Sequence, residues 1–256
     1  MNFTYFRIDL LRQLRDIGNT AIIIGLPVIM YLVFGSTGGS GDQVVGSANE
    51  QFYVMVSMAV YGAAMATTSI AGIAAIERIQ GWGRQLALTP MTSTGFVVTK
   101  VTVALTYSFF AAGAVFIAGA LTGAEGSASV WIRSFLLVWL TSGLFALFGL
   151  AIAQLFKSES AVSIATAGLV LLSFLGNLFV PLSGTMLNVA RFTPMYGISG
   201  LARWPQMHGA IIDNTVASMA EWPHDSLWAL ILNVLVWALI FGGIATLAVT
   251  RSRKRQ

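Results

Sequence analysis

Few residues in this 256-residue chain are able to carry reactive chemistry. Cysteine is absent, so disulfide, thiolate and Cys-ligated metal chemistry are excluded. The two histidines, His208 and His224, lack the spacing that sets paired metal ligands on one helix face. No Gly-x-x-x-x-Gly-Lys-Ser/Thr loop is present to cradle a phosphate, and no Gly-x-Ser-x-Gly elbow is present to present a nucleophile. No apolar run holds an acidic residue near its centre, the costly group that ion-coupled carriers keep for work. Catalytic, metal-binding and cofactor-binding residues are therefore expected to be none. What remains is mechanical. Residues 77–90, "ERIQGWGRQLALTP", interrupt two long apolar runs with charge, glycine and a closing Thr-Pro. Gly81 and Gly83 permit a sharp change of direction, and Thr89 before Pro90 is pushed out of helical geometry. Glu77, Arg78 and Arg84 supply charge, and Trp82, Leu86 and Leu88 supply apolar knobs. A short, capped amphipathic helix of this kind is a lever that a soluble partner can grip.

The elements that must position this lever follow from composition. Hydrophobic residues make up 56% of the chain, charged residues 9%, and mean hydropathy is +0.79. A soluble domain carries about 25% charged residues, so most of this surface faces something other than water. Apolar runs cover residues 20–34, 52–76, 95–121, 134–155, 160–182 and 226–249, which predicts an all-α polytopic membrane protein with six spans in a single domain, 1–256. Five of these runs accommodate the roughly 20-residue helix needed to cross a hydrocarbon core about 30 Å thick. The first is short and contains Pro27, tolerated where neighbouring groups re-satisfy the freed carbonyl. An even number of spans puts both termini on one side. Placed in the cytoplasm, that side holds Arg7, Arg12, Arg15, Arg78, Arg84, Lys100, Lys157, Arg251, Arg253, Lys254 and Arg255. Only Arg133, Arg191 and Arg203 fall outside, so the Lys/Arg bias orients the chain with its termini and residues 77–94 inside.

Phe3, Phe6, Leu10, Leu14 and Ile17 recur at helical spacing, with Asp9, Arg12 and Asp16 opposite, which predicts an amphipathic interfacial helix over 1–18. The alternative is a cytoplasmic helix packed on a partner. Residues 35–50, rich in Gly and Ser, read as a flexible external loop. Residues 183–225 mix Pro194, Pro205 and Pro223 with large apolar residues, which predicts short external or re-entrant helices. Two stripes are candidates to line a substrate path. In the second span Met55, Met58, Gly62, Met65 and Ser69 give a soft face. In the fifth, Ser163, Thr166, Val170, Ser173 and Asn177 give a mildly polar one. Small and weakly polar residues also hold membrane helices together, so packing is the competing role for both stripes.

A second span running into Glu77-Arg78, then Gly81, then Leu86-x-x-Thr89-Pro90 and a downstream Lys100 resembles the permease subunit of type-2 exporters among the ATP-binding-cassette (ABC) transporters. The resemblance extends over the elbow helix, six spans and "FVPLSGTMLNVARFTPMYGIS" after the fifth. It implies a permease half, not itself an enzyme, that pairs with a second identical or related half and two copies of a separate ATPase carrying ATP and Mg. It also implies that Glu77, Arg78, Gly81, Arg84, Leu86, Thr89 and Pro90 touch that ATPase. The cargo expected of an uncharged Met-rich lining is a hydrophobic or amphipathic drug, antibiotic or lipid-like molecule, exported across a bacterial cytoplasmic membrane. The large external domains and the fused ATPase of some relatives are absent, and "WGRQLAL" stands where a Glu-rich stretch is common. A stand-alone gradient-coupled carrier and a non-transporting membrane sensor or anchor are the alternatives.

Overall fold

The computed structural model describes residues 3–35, 41–81, 92–156, 158, 160–216 and 218–253. The chain is an all-α polytopic membrane protein. Helix α1 (Phe3–Arg15) precedes α2 (Ile17–Gly35), and a two-stranded hairpin, β1 (Val44–Val45) and β2 (Ala48–Asn49), leads into α3 (Glu50–Gly72). A short α4 (Ala74–Ile79) continues α3, and α5 (Ser93–Thr122) returns through the bundle. Then follow α6 (Ala128–Thr141), α7 (Gly143–Leu155), α8 (Ala161–Leu175), α9 (Gly184–Ala190), α10 (Pro194–Met207) and α11 (Leu227–Arg253).

Five helical segments among the described residues are long and apolar enough to cross a membrane: Ile17–Gly35, Glu50–Gly72, Thr94–Thr122, Ala128–Leu155 and Leu227–Leu247. Helix α8, expected to fill most of 160–182, is a shorter apolar helix of 15 residues. It stops because Gly176 leaves helical geometry and Asn177 takes a left-handed backbone, φ 58°. Pro27 does not break α2, which runs through it. The proline ring sits over Gly62 of α3, where a Cβ would approach it to 3.0 Å.

Helix α3 is the axis of the fold. From Met55 to Gly72 every residue is buried, and α2, α5, α7, α8 and α10 pack around it. Its many Ala, Gly, Ser and Thr residues let neighbouring backbones come close, which is how helices associate where lipid removes the hydrophobic incentive. At one end of the bundle Ile23, Ala71, Ala74, Val97, Ala153, Ala161 and Ala245 share a core. This end joins the start of α2, the end of α3 and the end of α11. At the other end Leu187, Tyr196, Leu201, Ile211 and Leu230 pack together.

Residues 41–49 are not a free loop. Ser47 Oγ donates to the carbonyls of Pro205 and Gln206 at 3.0 and 3.1 Å. Gln206 Nε2 donates to the carbonyls of Val45 and Asn49 at 2.9 and 3.1 Å. Gly46, at φ 68°, lies so close to the Gln206 carbonyl that a Cβ would sit 2.3 Å from it, so the contact requires glycine. Composition favoured a linker; partners at the end of α10 impose the order instead.

Candidate functional site

The root of the 77–90 segment is built into the bundle. Glu77 lies on α4, only 4% exposed, and Gly81 turns the chain with φ 83°. Arg78 is on the backbone of α4, whereas Arg84, Leu86, Thr89 and Pro90 lie outside the described residues. On the return, Thr92 caps α5 by accepting from the Gly95 N–H. About two turns later comes Lys100, with none of its surface exposed. Its ammonium donates to Glu77 Oε1 at 2.7 Å and to Asp9 Oδ2 at 2.8 Å. Arg12 Nη1 reaches the same Glu77 oxygen at 3.3 Å. The rings of Tyr5 and Phe96 stand 5.7 and 6.0 Å from the Lys100 nitrogen. Burial pushes the Glu77 carboxyl above the ordinary carboxylate value, opposed by the Lys100 ammonium. A charge-balanced cluster therefore ties α1, α4 and α5 together at the start of the bend.

This cluster reverses one detail of the helical reading of α1. Asp9 was expected on the face opposite the apolar stripe. Instead Tyr5, Asp9 and Gln13 face the bundle, while Ile8, Leu11, Leu14 and Ile17 are exposed. An unpaired buried Lys100 would be far costlier than solvating a few apolar side chains, and in a membrane interface those side chains meet acyl chains rather than water.

The two candidate stripes divide. Met65 and Ser69 of α3 face a groove of about 410 Å³, together with Asn19, Ile22 and Ile23 of α2 and Val162, Ser163, Thr166, Ala167 and Val170 of α8. The groove lies at the Lys100 end of the bundle, and among the described residues its lining holds no charged side chain. Met55, Met58 and Met65 all belong to the core around α3, and of the three only Met65 also lines the groove among the described residues. Ser173 is buried and donates to the Leu169 carbonyl at 2.8 Å. Asn177 is buried at the break after α8, where its side chain accepts from the Leu182 N–H at 2.7 Å.

That break is held by a residue that charge counting left in an outer loop. Arg203 of α10 is 5% exposed, and its guanidinium donates to the carbonyls of Asn177 and Leu178 at 2.8 and 3.1 Å. It also donates to Ser57 Oγ of α3 at 2.6 and 3.2 Å and stacks 4.2 Å from the Tyr53 ring. A cation here complements the negative end of α8 and satisfies carbonyls that the helix leaves open. Nearby, Tyr196 donates to Asp225, which also pairs with Arg191 at 3.0 Å, fixing α10 against the approach to α11. His208 ends α10 in a left-handed conformation, and His224 sits at an exposed bridge to Ala210.

A central small-residue helix, a first helix ionically fastened to the root of the 77–90 segment, and short helices before the last apolar helix are the features of this membrane protein. A family profile described as ABC-2 type transporter matches residues 2–202. The chain belongs to the ABC-2 type transporter family. The match takes in every element from α1 into α10, including the ionic cluster, the groove and the partners of Arg203, which itself lies one residue beyond it. This ABC-2 protein is a multi-pass membrane permease of an ABC transporter, and its family works with an ABC ATPase subunit. No curated protein matches the chain in sequence.

Proposed function

We propose that this ABC-2 permease is one half of an ATP-driven exporter that moves an uncharged hydrophobic or amphipathic molecule outward. The observation that carries the proposal is the groove between α2 and α8, floored by Met65 and Ser69. Its lining combines apolar side chains with the amide of Asn19 and the hydroxyls of Ser69, Ser163 and Thr166. Such a surface accommodates acyl or ring systems and offers hydrogen bonds to a neutral polar end, which supports an uncharged cargo. The groove is open on one side, and a second permease half related by a two-fold axis would close it into a passage.

The driving force enters at residues 77–90. In this reading Arg78, Gly81, Arg84, Leu86, Thr89 and Pro90 form the coupling region against two ATPase copies that hold ATP and Mg, and Glu77, buried against Lys100, is its root rather than part of the contact. The bend and both termini lie, in this reading, in the cytoplasm of a bacterial cell, an orientation that the Lys/Arg bias supports. Anchoring of its root to α5 and α1 supports the lever, because a stroke needs a stiff attachment to reach the spans.

The test is reconstitution of the full chain in liposomes with an amphipathic probe, an NBD-labelled phospholipid, with and without the ATPase that co-purifies with it. Movement of the probe is expected only with the ATPase and Mg·ATP, and Arg84→Glu is expected to abolish it. Probe movement by the chain alone, or full ATP-dependent movement by Arg84→Glu, would overturn the proposal.

A further inference from the structure

The ionic cluster has a role to explain. Lys100 lies in a helix that is otherwise apolar for most of its length, and it is entirely buried together with Asp9 and Glu77. Buried ion pairs are poor sources of stability, since apolar residues of similar volume usually do as well or better. Among the described residues Glu77 Oε2 is buried without a hydrogen-bond partner, a further cost. What such a cluster does supply is a fixed mutual position, because each charge tolerates only its partners. Its three members come from three elements. Asp9 is on α1, Glu77 is on α4 at the start of the bend, and Lys100 is on α5 where the chain returns. Elsewhere α1 packs Phe6 and Leu10 against the core and its Gln13 carbonyl accepts long bonds from Thr20 and Tyr107, at 3.4 and 3.5 Å, while Ile8, Leu11 and Leu14 face outward.

We infer that Asp9, Lys100 and Glu77 form an ionic joint that makes the elbow helix travel with the inner bend, with Lys100 as the positioning residue for coupling. The inference rests on the reading of residues 77–90 as the coupling region. The bend pulls Glu77, Lys100 conveys that displacement to Asp9, and α1 shifts in the membrane interface with the start of α2 behind it. The groove responds because Asn19, Ile22 and Ile23 belong to that same start of α2. Arg12, bonded to Glu77 from α1, reinforces the link from its half-exposed position.

The absence of cysteine allows paired spin labels without background. Labels at Leu11→Cys on α1 and Gln80→Cys beyond α4 report the joint, and Leu11→Cys with Leu247→Cys on α11 reports movement of α1 relative to the bundle. In the full-length chain in nanodiscs the joint distance is expected to be narrow, and Asp9→Asn should broaden it. Asp9→Asn leaves the Lys100–Glu77 pair intact, so the bundle keeps its fold; Lys100→Met is the second, harsher variant. Asp9→Glu should restore the narrow distribution. In the complex with the co-purified ATPase, trapping with ATP should change the Leu11–Leu247 distance while leaving Leu11–Gln80 fixed, and Asp9→Asn should lose that response though hydrolysis continues. A joint distance that is broad in the unmodified chain, unaltered by both variants, or changed by ATP would overturn the joint. Failure of any ATPase to bind, with the narrow distance and its loss on Asp9→Asn intact, would overturn the coupling reading and leave the joint standing.

Discussion

Arg203 shows how a single side chain fixes a helix break. Its guanidinium serves the carbonyls of Asn177 and Leu178 and the hydroxyl of Ser57, joining α10, the end of α8 and the central helix. Arg203→Met keeps much of the volume and removes every donor. Each buried acceptor then left unmade costs about 1–3 kcal/mol, so the variant should unfold at clearly lower temperature in a detergent melt. Arg203→Lys should not rescue it, because an ammonium cannot span the acceptors that a planar fork reaches at once. A melting temperature for Arg203→Met equal to that of the unmodified chain would show that the clamp holds nothing. Neither this clamp nor the Asp9–Lys100 bond was legible in the sequence. Helical spacing placed Asp9 on a polar face and charge bias placed Arg203 outside, but the partners that draw both inward lie on distant segments. Periodicity reads neighbours along one helix and is blind to a lysine 91 residues away. An available signal was Lys100 itself, a cation several residues into a long apolar run.

At the scale of elements, the apolar runs were legible because a membrane imposes length and composition together. The ends were less so. Helix α8 stops at Leu175 inside an apolar stretch, since the left-handed Asn177 and its tertiary bonds override hydropathy. The close approach of α3 to α7 was also hidden, because it depends on one absent side chain. A Cβ added at Gly149 would lie 2.4 Å from the Thr68 carbonyl oxygen, a backbone atom that cannot step aside. Gly149→Ala should therefore force the two helices apart, at about 1–3 kcal/mol for overpacking. Gly113 on α5 is the matched control, since nothing stands within 4 Å of its added Cβ. Gly113→Ala should be neutral or stabilising by about 0.5–1 kcal/mol. Detergent melts of the two single variants check the difference. Equal melting temperatures would mean that the α3–α7 crossing is looser than its geometry.

For the whole molecule, the decisive surface is the one this chain leaves open. Met65 and Ser69 were legible as part of a helical stripe, but the stripe as a whole goes to the core with Met55 and Met58, because α3 is enclosed along most of its length, and only Met65 and Ser69 of its named members also reach the groove beside α2 and α8. If cargo passes here, bulk placed in the groove must stop it without disturbing the bundle. Ser163 and Ala167 line the groove and are exposed, so a tryptophan at either enters open space rather than the core. Leu171, one turn further along α8, is 66% exposed and lies outside the lining, and it accepts the same substitution as a control. Ser163→Trp and Ala167→Trp should insert, melt and bind the ATPase like the unmodified chain, yet lose most ATP-driven movement of the NBD-labelled phospholipid. Leu171→Trp should retain it. Persistent ATP hydrolysis in the blocked variants would separate a plugged passage from a severed lever, since the ionic joint and the bend are untouched by the change. Were both groove variants to move the probe as fast as the control, the passage would have to lie elsewhere, and the open face between α2 and α8 would serve only to meet the second half.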